Sequence, residues 1–127
     1  MVYIINGNTS TGKTTYIRNY ISNNPDKAVR YFTDEEWLEL LIDCLKLYEY
    51  QELAQKMTGD ADVIFIDNID FFSGKNEVQK LTAFIVASLC DKTDFYLSGI
   101  SLDKRIKVML CEFERMGVSV SYVQYNQ

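Results

Sequence analysis

The chain has 127 residues, and its 13 Lys and Arg against 18 Asp and Glu give a formal net charge of −5. This length is typical of one domain, and 47% hydrophobic with 24% charged residues is typical of a folded chain rather than a disordered one. The sequence contains no His, which excludes Ser-His-Asp and Cys-His catalysis and every His-containing metal site. Any chemistry must therefore use carboxylates, Lys, hydroxyls and backbone amides.

The first third of the chain alternates apolar runs with helical patterns. Residues 2–6 are typical of a buried strand, and the apolar spacing over residues 13–22 predicts a helix behind a polar turn. A second strand is predicted at residues 28–32. Thr33 with Glu36 three residues later is a capping box, which predicts that another helix begins there.

The same alternation continues to the end of the chain. The helix after Thr33 is expected to reach Met57 with a break near Tyr48, and Ser101 is expected to cap a last continuous helix that Gly117 closes. The remaining predicted elements are a helix at residues 76–91 and strands at residues 63–66, 95–97 and 118–123. Because repeated β-α units require parallel strands with helices on both faces, we predict a three-layer α/β sandwich with a five-stranded parallel sheet.

The strongest chemical signal is a full match to the pattern G-x-x-x-x-G-K-[ST] between the first strand and the first helix. Its glycines free the backbone for a tight loop whose N–H groups converge on phosphate oxygens at a helix N-terminus. We expect Lys13 to face the β and γ phosphates of ATP and the Thr14 hydroxyl to face Mg²⁺. A plain turn between strand and helix is the alternative. The predicted nucleotide-binding residues are Gly7, Asn8, Thr9, Ser10, Thr11, Gly12, Lys13, Thr14 and Thr15.

Asp67 directly follows the most apolar strand, at residues 63–66. In open α/β folds, ligands sit at the carboxyl ends of the strands, next to a phosphate loop when one is present. Asp67 is therefore predicted to hold Mg²⁺ through its water shell, the role of a Walker-B aspartate. The alternative is an aspartate that merely begins a turn.

These motifs resemble, over nearly the full length, the replication-initiator and helicase-loader branch of the AAA+ ATPases, the DnaA type. The resemblance is carried by the phosphate loop, by Tyr31-Phe32-Thr33 with Glu35 and Glu36, and by the segment at residues 62–75. It implies a single phosphate-loop core domain over residues 1–127 with the strand order 5-1-4-3-2.

The resemblance also implies roles for single residues. Ser98 falls at or near the polar sensor position, and Arg115 falls near the arginine finger, which completes the site of a neighbouring subunit in a possible homo-oligomer. A surface arginine late in a helix is the alternative for Arg115. The predicted catalytic residues are Lys13, Asp67, Asn68, Ser98 and Arg115, and the predicted metal ligands are Thr14 and Asp67.

The sequence departs from the family pattern in two respects. The family follows the Walker-B aspartate with Glu or Asp, which polarises the attacking water, whereas this chain has Asn68. An amide cannot accept a proton, so we expect weak or no hydrolysis, with Asp70 as the nearest alternative carboxylate. The chain also begins at the first strand and ends after the fifth, without a base-binding segment or lid, so we expect weak nucleotide affinity with little base discrimination.

The favoured function is an ATP-binding module of the DnaA type, a switch or assembly partner in DNA replication. One alternative is a small nucleoside or nucleotide kinase of the thymidine-kinase type, although the chain has no Arg-rich lid segment and no zinc-type Cys pairs. The other is an interaction protein that retains the loop without catalysis.

Charge distribution guides the prediction of partners. The acidic helix at residues 34–45 is a possible docking face for a basic protein, or a solvated face. Nucleic acid is possible but not supported by the net charge, since phosphate affinity needs clustered cations. The three cysteines show no metal or redox spacing, and no run is apolar enough for a signal peptide or a membrane span, so a cytoplasmic protein is expected.

Overall fold

The computed structural model describes residues 1–7, 10–47 and 59–123, with the backbone alone at residues 10–14 and 44–47. The strands are β1 (Val2–Asn6), β2 (Val29–Phe32), β3 (Val63–Ile66), β4 (Asp94–Gly99) and β5 (Val120–Val123). The helices are α1 (Ser10–Asn23), α2 (Asp34–Leu47), α3 (Asn76–Leu89), α4 (Leu102–Arg105) and α5 (Lys107–Arg115), and a 3₁₀ turn covers Ile69–Phe72. In this described part, no helix is both long enough and apolar enough to cross a membrane.

The five strands form one parallel sheet in the order β2-β3-β4-β1-β5. This order confirms the predicted arrangement, with β4 between the strand of the phosphate loop and the strand of Asp67. The register pairs Ile5 with Ser98 and Ile66 with Leu97. The carboxyl ends of β1, β4 and β3 therefore lie side by side at one edge of the sheet.

One face of the sheet, the aliphatic face, carries mainly aliphatic side chains beside Phe32 and Phe95 and is covered by α2, α3 and α5. Ile4, Ile64 and Leu97 point into this layer and are at most 1% exposed. The covering helices contribute side chains that are almost completely buried, among them Trp37, Leu41, Ala83, Val86, Met109 and Phe113. The indole of Trp37 donates to the Thr82 hydroxyl at 3.0 Å, so these two buried polar groups are paired.

The opposite face is aromatic and is covered by α1. Tyr3 stacks on Tyr96 at 4.5 Å between ring centroids, and Tyr96 stacks on Phe65 at 4.7 Å. Tyr20 of α1 meets the edge of Phe65 at 5.5 Å, and Ile17 is buried beside them. Stacked and edge-on rings add to the stabilisation that burial gives. Helices on both faces confirm the three-layer sandwich.

The local helix signals are partly confirmed. Thr33 forms the predicted capping box, because its hydroxyl accepts the Glu36 N–H at 3.2 Å and its own N–H donates to the Glu36 carboxylate at 3.0 Å. Gly117 adopts φ 74° after α5, as its closing role requires. Helix α1 begins at Ser10, earlier than the predicted residue 13. The predicted break near Tyr48 and the end near Met57 lie outside the described residues.

The predicted continuous last helix is wrong, because the chain breaks at Ile106 (φ −121°, ψ 38°) between α4 and α5. The buried amide of Gln79 sits in the break. It donates to the Arg105 carbonyl at 3.3 Å and accepts the Met109 N–H at 3.1 Å. In a regular helix those two backbone groups would bond each other, so the side chain replaces that bond. Its second donated bond reaches the Phe72 carbonyl at 2.8 Å.

The predicted hydroxyl cap at Ser101 is also wrong. Ser101 has φ 52° and makes no side-chain bond to α4. Instead, the Leu102 N–H donates to the side-chain oxygen of Asn6 at 3.2 Å. The end of β1 therefore caps the helix that follows β4.

Candidate nucleotide-binding site

The phosphate loop leaves the sheet at the carboxyl end of β1. The Gly7 N–H donates to the Gly99 carbonyl at 3.0 Å, so the pairing of β1 with β4 continues one residue into the loop. The next two residues, Asn8 and Thr9, lie outside the described residues. Helix α1 then begins at Ser10, which places Thr11 and Gly12 in its first turn, where free N–H groups and the helix dipole favour an anion.

The side chains of Ser10, Thr11, Lys13 and Thr14 lie outside the described part of the structure, and Gly12 has none. Contacts of Lys13 with phosphate and of Thr14 with a metal therefore stay predictions. Thr15, the last predicted nucleotide-binding residue, is exposed on α1.

Asp67 follows β3 and is only 8% exposed. Its N–H donates to the Phe32 carbonyl at 2.8 Å, which holds the residue in line with β2. Its Oδ1 accepts the Ser98 hydroxyl at 2.6 Å and the Asn68 N–H at 2.8 Å. Its Oδ2 accepts the Tyr31 hydroxyl at 2.8 Å. These three donors hold both oxygens of the carboxylate.

Tyr31 belongs to the edge strand β2. The residue as a whole is 43% exposed, although its hydroxyl is hydrogen-bonded to Asp67. Burial of the phenol and then its hydrogen bond to the Asp67 carboxylate raise the pKa of Tyr31 well above its ordinary value. Tyr31 therefore keeps its proton at neutral pH and remains a donor to Asp67.

Ser98 is the predicted site residue on β4. It is fully buried in β4 and sits beside Asp67, so the structure brings these two predicted residues together. Its hydroxyl also lies 3.5 Å from the Ile66 carbonyl, a much longer contact than the 2.6 Å to Asp67. The short bond to the carboxylate therefore determines where the hydroxyl proton lies.

Asn68 is half-buried and adopts φ 59° and ψ 32°, in the left-handed region. Asn and Asp enter this region more readily than other residues with a side chain. The residue turns the chain sharply from β3 into the 3₁₀ turn. The backbone at position 68 would therefore also accommodate Asp, although this chain has Asn there.

Asp70 turns back toward the end of β4. Its Oδ1 accepts the Ile100 N–H at 3.3 Å. A Cβ placed on Gly99 would lie 2.6 Å from that oxygen and 2.6 Å from Cδ2 of Leu102, so a larger residue would require both side chains to shift. Asp70, the alternative carboxylate for hydrolysis, is therefore already hydrogen-bonded to the backbone at this edge of the sheet.

The structure does not bring Arg115 to Asp67. Arg115 ends α5, and its guanidinium pairs with Glu112 at 3.1 Å with the side chain 78% exposed. Gly117 then turns the chain into β5, whose Val120 pairs with Val2 at the start of β1. Arg115 consequently lies toward the amino edge of the sheet, opposite the carboxyl edge that holds Asp67.

Reasoning from the sequence missed three residues of this edge: Tyr31, Gly99 and Asn6. A signal for Tyr31 existed, because the implied strand order puts β2 beside β3 and Tyr31 pairs with Phe65, two residues before Asp67. Residues two apart on a strand share a face. Gly99 and Asn6 had no comparable signal, since their contacts depend on the 3₁₀ turn and on α4.

The sequence matches the family of the bacterial DnaA ATPase domain over residues 2–114. The chain belongs to this family. DnaA of Thermotoga petrophila is 35% identical over 79 residues, which are 59% of this chain and 18% of the relative. DnaA of Pseudothermotoga lettingae is 32% identical over 79 residues, with the same coverage. The chain thus spans less than a fifth of the length of these DnaA relatives.

Solved DnaA structures share the fold. Domain III of Thermotoga maritima DnaA superposes with a TM-score of 0.67 at 24% identity, covering 97% of this chain and 54% of that one. AMPPCP-bound DnaA from Aquifex aeolicus gives 0.66 at 17% identity, covering 97% and 40%. A DnaA bound to AMPPCP and single-stranded DNA gives 0.68 at 20% identity, covering 98% and 40%. The AAA+ fold that the resemblance implied is thereby confirmed.

Proposed function

We propose that the chain binds ATP with Mg²⁺ at the carboxyl edge of its sheet, with residues 7–15 around the phosphates and Asp67 toward the metal. This proposal rests on one observation: the phosphate loop and Asp67 both hydrogen-bond to residues at the end of β4. Gly99 bonds the first residue of the phosphate loop at 3.0 Å, and the preceding Ser98 bonds Asp67 at 2.6 Å. The DnaA structures solved with AMPPCP, an ATP analogue, support the choice of nucleotide.

The residues at this edge fit a magnesium ion that arrives with a nucleotide. Such an ion is held by phosphate oxygens, several waters and one or two carboxylates, so a single buried carboxylate is sufficient. Asp67 and the Thr14 hydroxyl would hold it, and Lys13 would balance the remaining phosphate charge. The ion supplies neutralisation of the charge on the phosphate oxygens. Asp67 lies 8% exposed at the strand end that this role requires.

Hydrolysis is slow in this proposal, because Asn68 stands where the family has a carboxylate that polarises water. The amide neither accepts a proton nor carries charge. Asp70 does not replace it readily, since its Oδ1 accepts the Ile100 N–H. A module that holds ATP without rapid turnover suits a switch or an assembly partner in DNA replication, the process of its DnaA relatives.

Arg115 is proposed to act on a neighbouring copy rather than on its own site. Its place toward the opposite edge of the sheet and its 78% exposed side chain support this role in a homo-oligomer. Nucleic acid binding forms no part of the proposal, because the net charge of −5 gives the chain no broad basic field. A cytoplasmic location is part of it and is supported by the free thiols of Cys90 and Cys111.

Helix α2 supplies a second part of the proposal, a docking face for a basic amphipathic segment of a partner protein. Helical spacing places the exposed Glu35 on one stripe with Leu38 and Ile42. These apolar residues line a groove of 370 Å³ between α2 and α3, with Val78 and Leu81 opposite and the paired Glu77 and Lys80 also in its lining. An apolar groove with acidic side chains on its α2 side complements a helix that carries Leu on one face and Lys beside it.

A synthetic Lys- and Leu-rich helical peptide tests this docking face by fluorescence anisotropy at physiological salt. Glu35→Lys with Glu39→Lys should weaken binding strongly. Asp60→Lys with Asp91→Lys makes the same charge change at exposed positions away from α2 and should leave binding unchanged. Equal losses in both pairs would mean that only net charge is recognised, and the docking face would be rejected.

Thermal unfolding with Mg²⁺ and increasing ATP tests the nucleotide site. The unfolding midpoint of the wild type should rise with ATP concentration, because a ligand of the folded state stabilises by RT ln(1 + [L]/Kd). Lys13→Ala should abolish the rise, whereas Lys92→Ala, an exposed lysine beyond α3, should keep it. The proposal would be contradicted if the unfolding midpoint of the wild type did not change with ATP, or if the midpoint of Lys13→Ala rose as much as that of the wild type.

A further inference from the structure

We infer that Tyr31 and Ser98 are positioning residues that together hold the Asp67 carboxylate in place, and that this clamp sets the magnesium dependence of binding for ATP and ADP alike. The inference rests on the nucleotide site proposed above. It differs from the sensor role that the family resemblance implied for Ser98.

The clamp comes from the strands on either side of β3. Tyr31 of β2 donates to Oδ2 of Asp67 at 2.8 Å, and Ser98 of β4 donates to Oδ1 at 2.6 Å. Oδ1 also accepts the Asn68 N–H at 2.8 Å, but a carboxylate held by that bond alone can still rotate about its Cβ–Cγ bond. Hydroxyls bound to different oxygens from opposite sides fix both the position and the plane of the group.

The proton of Ser98 decides which role this hydroxyl plays. A serine hydroxyl has one proton to donate, and in this structure it points to Asp67. A γ-phosphate oxygen is an acceptor and would need the same proton. While Ser98 holds Asp67, it cannot donate to the nucleotide, so loss of its hydroxyl should affect ADP and ATP equally.

Tyr31 supports the clamp independently. Its hydroxyl reaches the other oxygen of the carboxylate, Oδ2, from β2, whereas Ser98 reaches Oδ1 from β4. The Tyr31 hydroxyl takes no part in the stacked row of Tyr3, Tyr96 and Phe65, so its removal leaves that packing unchanged. Phenylalanine at this position therefore removes one hydrogen bond and little else.

Magnesium makes the orientation of Asp67 important. The ion demands near-ideal octahedral geometry, and residues that orient metal-binding groups typically change metal affinity by about 10- to 100-fold. Loss of either hydroxyl should therefore weaken the contribution of Mg²⁺ by about tenfold. Binding without the metal should be unaffected, because neither hydroxyl is proposed to touch the nucleotide.

Calorimetric titration with ATP and with ADP, each in Mg²⁺ and in EDTA, tests the clamp. The ratio of Kd in EDTA to Kd in Mg²⁺ should fall about tenfold in Tyr31→Phe and in Ser98→Ala, for both nucleotides. Tyr122→Phe, a matched change at a tyrosine of β5 that is 59% exposed, should keep the wild-type ratio. The Kd values in EDTA should be the same in all four proteins.

Each contrary outcome is distinct. A Tyr31→Phe variant with the wild-type ratio overturns the clamp, and so does a Ser98→Ala variant that loses affinity for ATP but not for ADP. If Ser98→Ala does not fold, Tyr31→Phe alone decides. A wild type that binds equally in Mg²⁺ and EDTA overturns the clamp and leaves the nucleotide site standing, whereas a wild type that binds in neither medium overturns both.

Discussion

The two faces of the sheet differ in chemistry although the same strands build them. Ile64 and Ile66 face α2, α3 and α5, whereas Phe65 and Asp67 face α1. The aliphatic face is continuous to the end of the strands. The aromatic face changes at its carboxyl end to polar groups, Tyr31, Asp67 and Ser98. The two-residue period of a strand thus separates a face for stability from a face with a site at its end.

Among the described residues, each face contains a polar network that joins several elements. Gln79 on the aliphatic face joins the 3₁₀ turn, α3 and the break between α4 and α5. Asp67 on the aromatic face joins β2, β3 and β4 at the edge where the phosphate loop begins. We expect the first network to control stability alone and the second to control ligand binding.

The largest effect on stability is expected from Gln79→Ala. The change removes the partner that Gln79 gives to the Arg105 carbonyl and the Met109 N–H, and it leaves the Phe72 carbonyl with only its bond from the Lys75 N–H. A buried unpaired group costs about 1–3 kcal/mol. The free energy of unfolding, measured with urea, should fall by about 3 kcal/mol. The neighbouring exposed change Lys80→Ala should cost less than about 0.5 kcal/mol. A Gln79→Ala loss as small as that of Lys80→Ala would show that Gln79 does not hold the helix break.

Gly99→Ala tests how closely the candidate site on the aromatic face packs against α4 at the end of β4. The added methyl group would lie 2.6 Å from both Asp70 Oδ1 and Leu102 Cδ2, so the carboxylate that bonds the Ile100 N–H and the buried Leu102 side chain must both shift. We expect a loss of about 1–3 kcal/mol in urea unfolding. Ser73→Ala, an exposed change just after the same 3₁₀ turn, is the control and should change stability by less than about 0.5 kcal/mol. Equal stability of Gly99→Ala and wild type would mean that the edge is less closely packed than the distances indicate.

Substitutions at Asn68 test whether the missing carboxylate is the reason for slow ATP hydrolysis. Asn68→Asp suits the left-handed backbone (φ 59°) and should raise ATP turnover above the wild-type rate. Asn68→Glu should do so less well, because its longer side chain is less favoured in that conformation. Asn68→Ala should stay at background and lose about 1 kcal/mol of stability. Rapid turnover by the wild type that Asn68→Ala leaves unchanged would contradict this account.

Alkaline pH should affect the aromatic face selectively. Burial raises the pKa values of Tyr31, Tyr96 and Tyr16, all on that face. A raised folded-state pKa means that the stabilisation is complete below the unfolded value of about 10 and is lost as pH rises through the folded value. The difference in unfolding free energy between wild type and Tyr31→Phe should therefore stay constant up to about pH 9 and shrink as the pH rises above about 10. A difference that stays constant above about pH 10 would contradict a raised pKa of Tyr31 in the folded state.

The sequence predicted the elements whose signals are local or repeated. The apolar strands, the Thr33 capping box and the closing role of Gly117 follow from neighbouring residues. The family resemblance supplied the strand order and with it the meeting of Asp67 and Ser98. Periodicity could not supply the order, because it identifies the faces of strands and not their neighbours.

The remaining features depend on contacts between residues far apart in the chain. Gln79 lies between the apolar residues of α3, and nothing in its neighbours indicates that its amide interrupts another helix 26 residues later. Serine commonly caps helices, yet at Ser101 it does not. The side chain of Asn6, 96 residues before Leu102, accepts the Leu102 N–H instead. Such bonds arise only when the sheet brings its strand ends together.

Calorimetric titration of Mg²⁺ and ATP into the wild type and into Asp67→Asn tests the central claim most directly. Asn keeps the size of the side chain and removes its charge, so it should lose most of the magnesium-dependent affinity and keep the affinity measured in EDTA. Saturable wild-type binding with that loss is the predicted result. Asp67→Asn binding that equals wild-type binding in Mg²⁺, or no binding by the wild type, would contradict a nucleotide and magnesium site at this edge of the sheet.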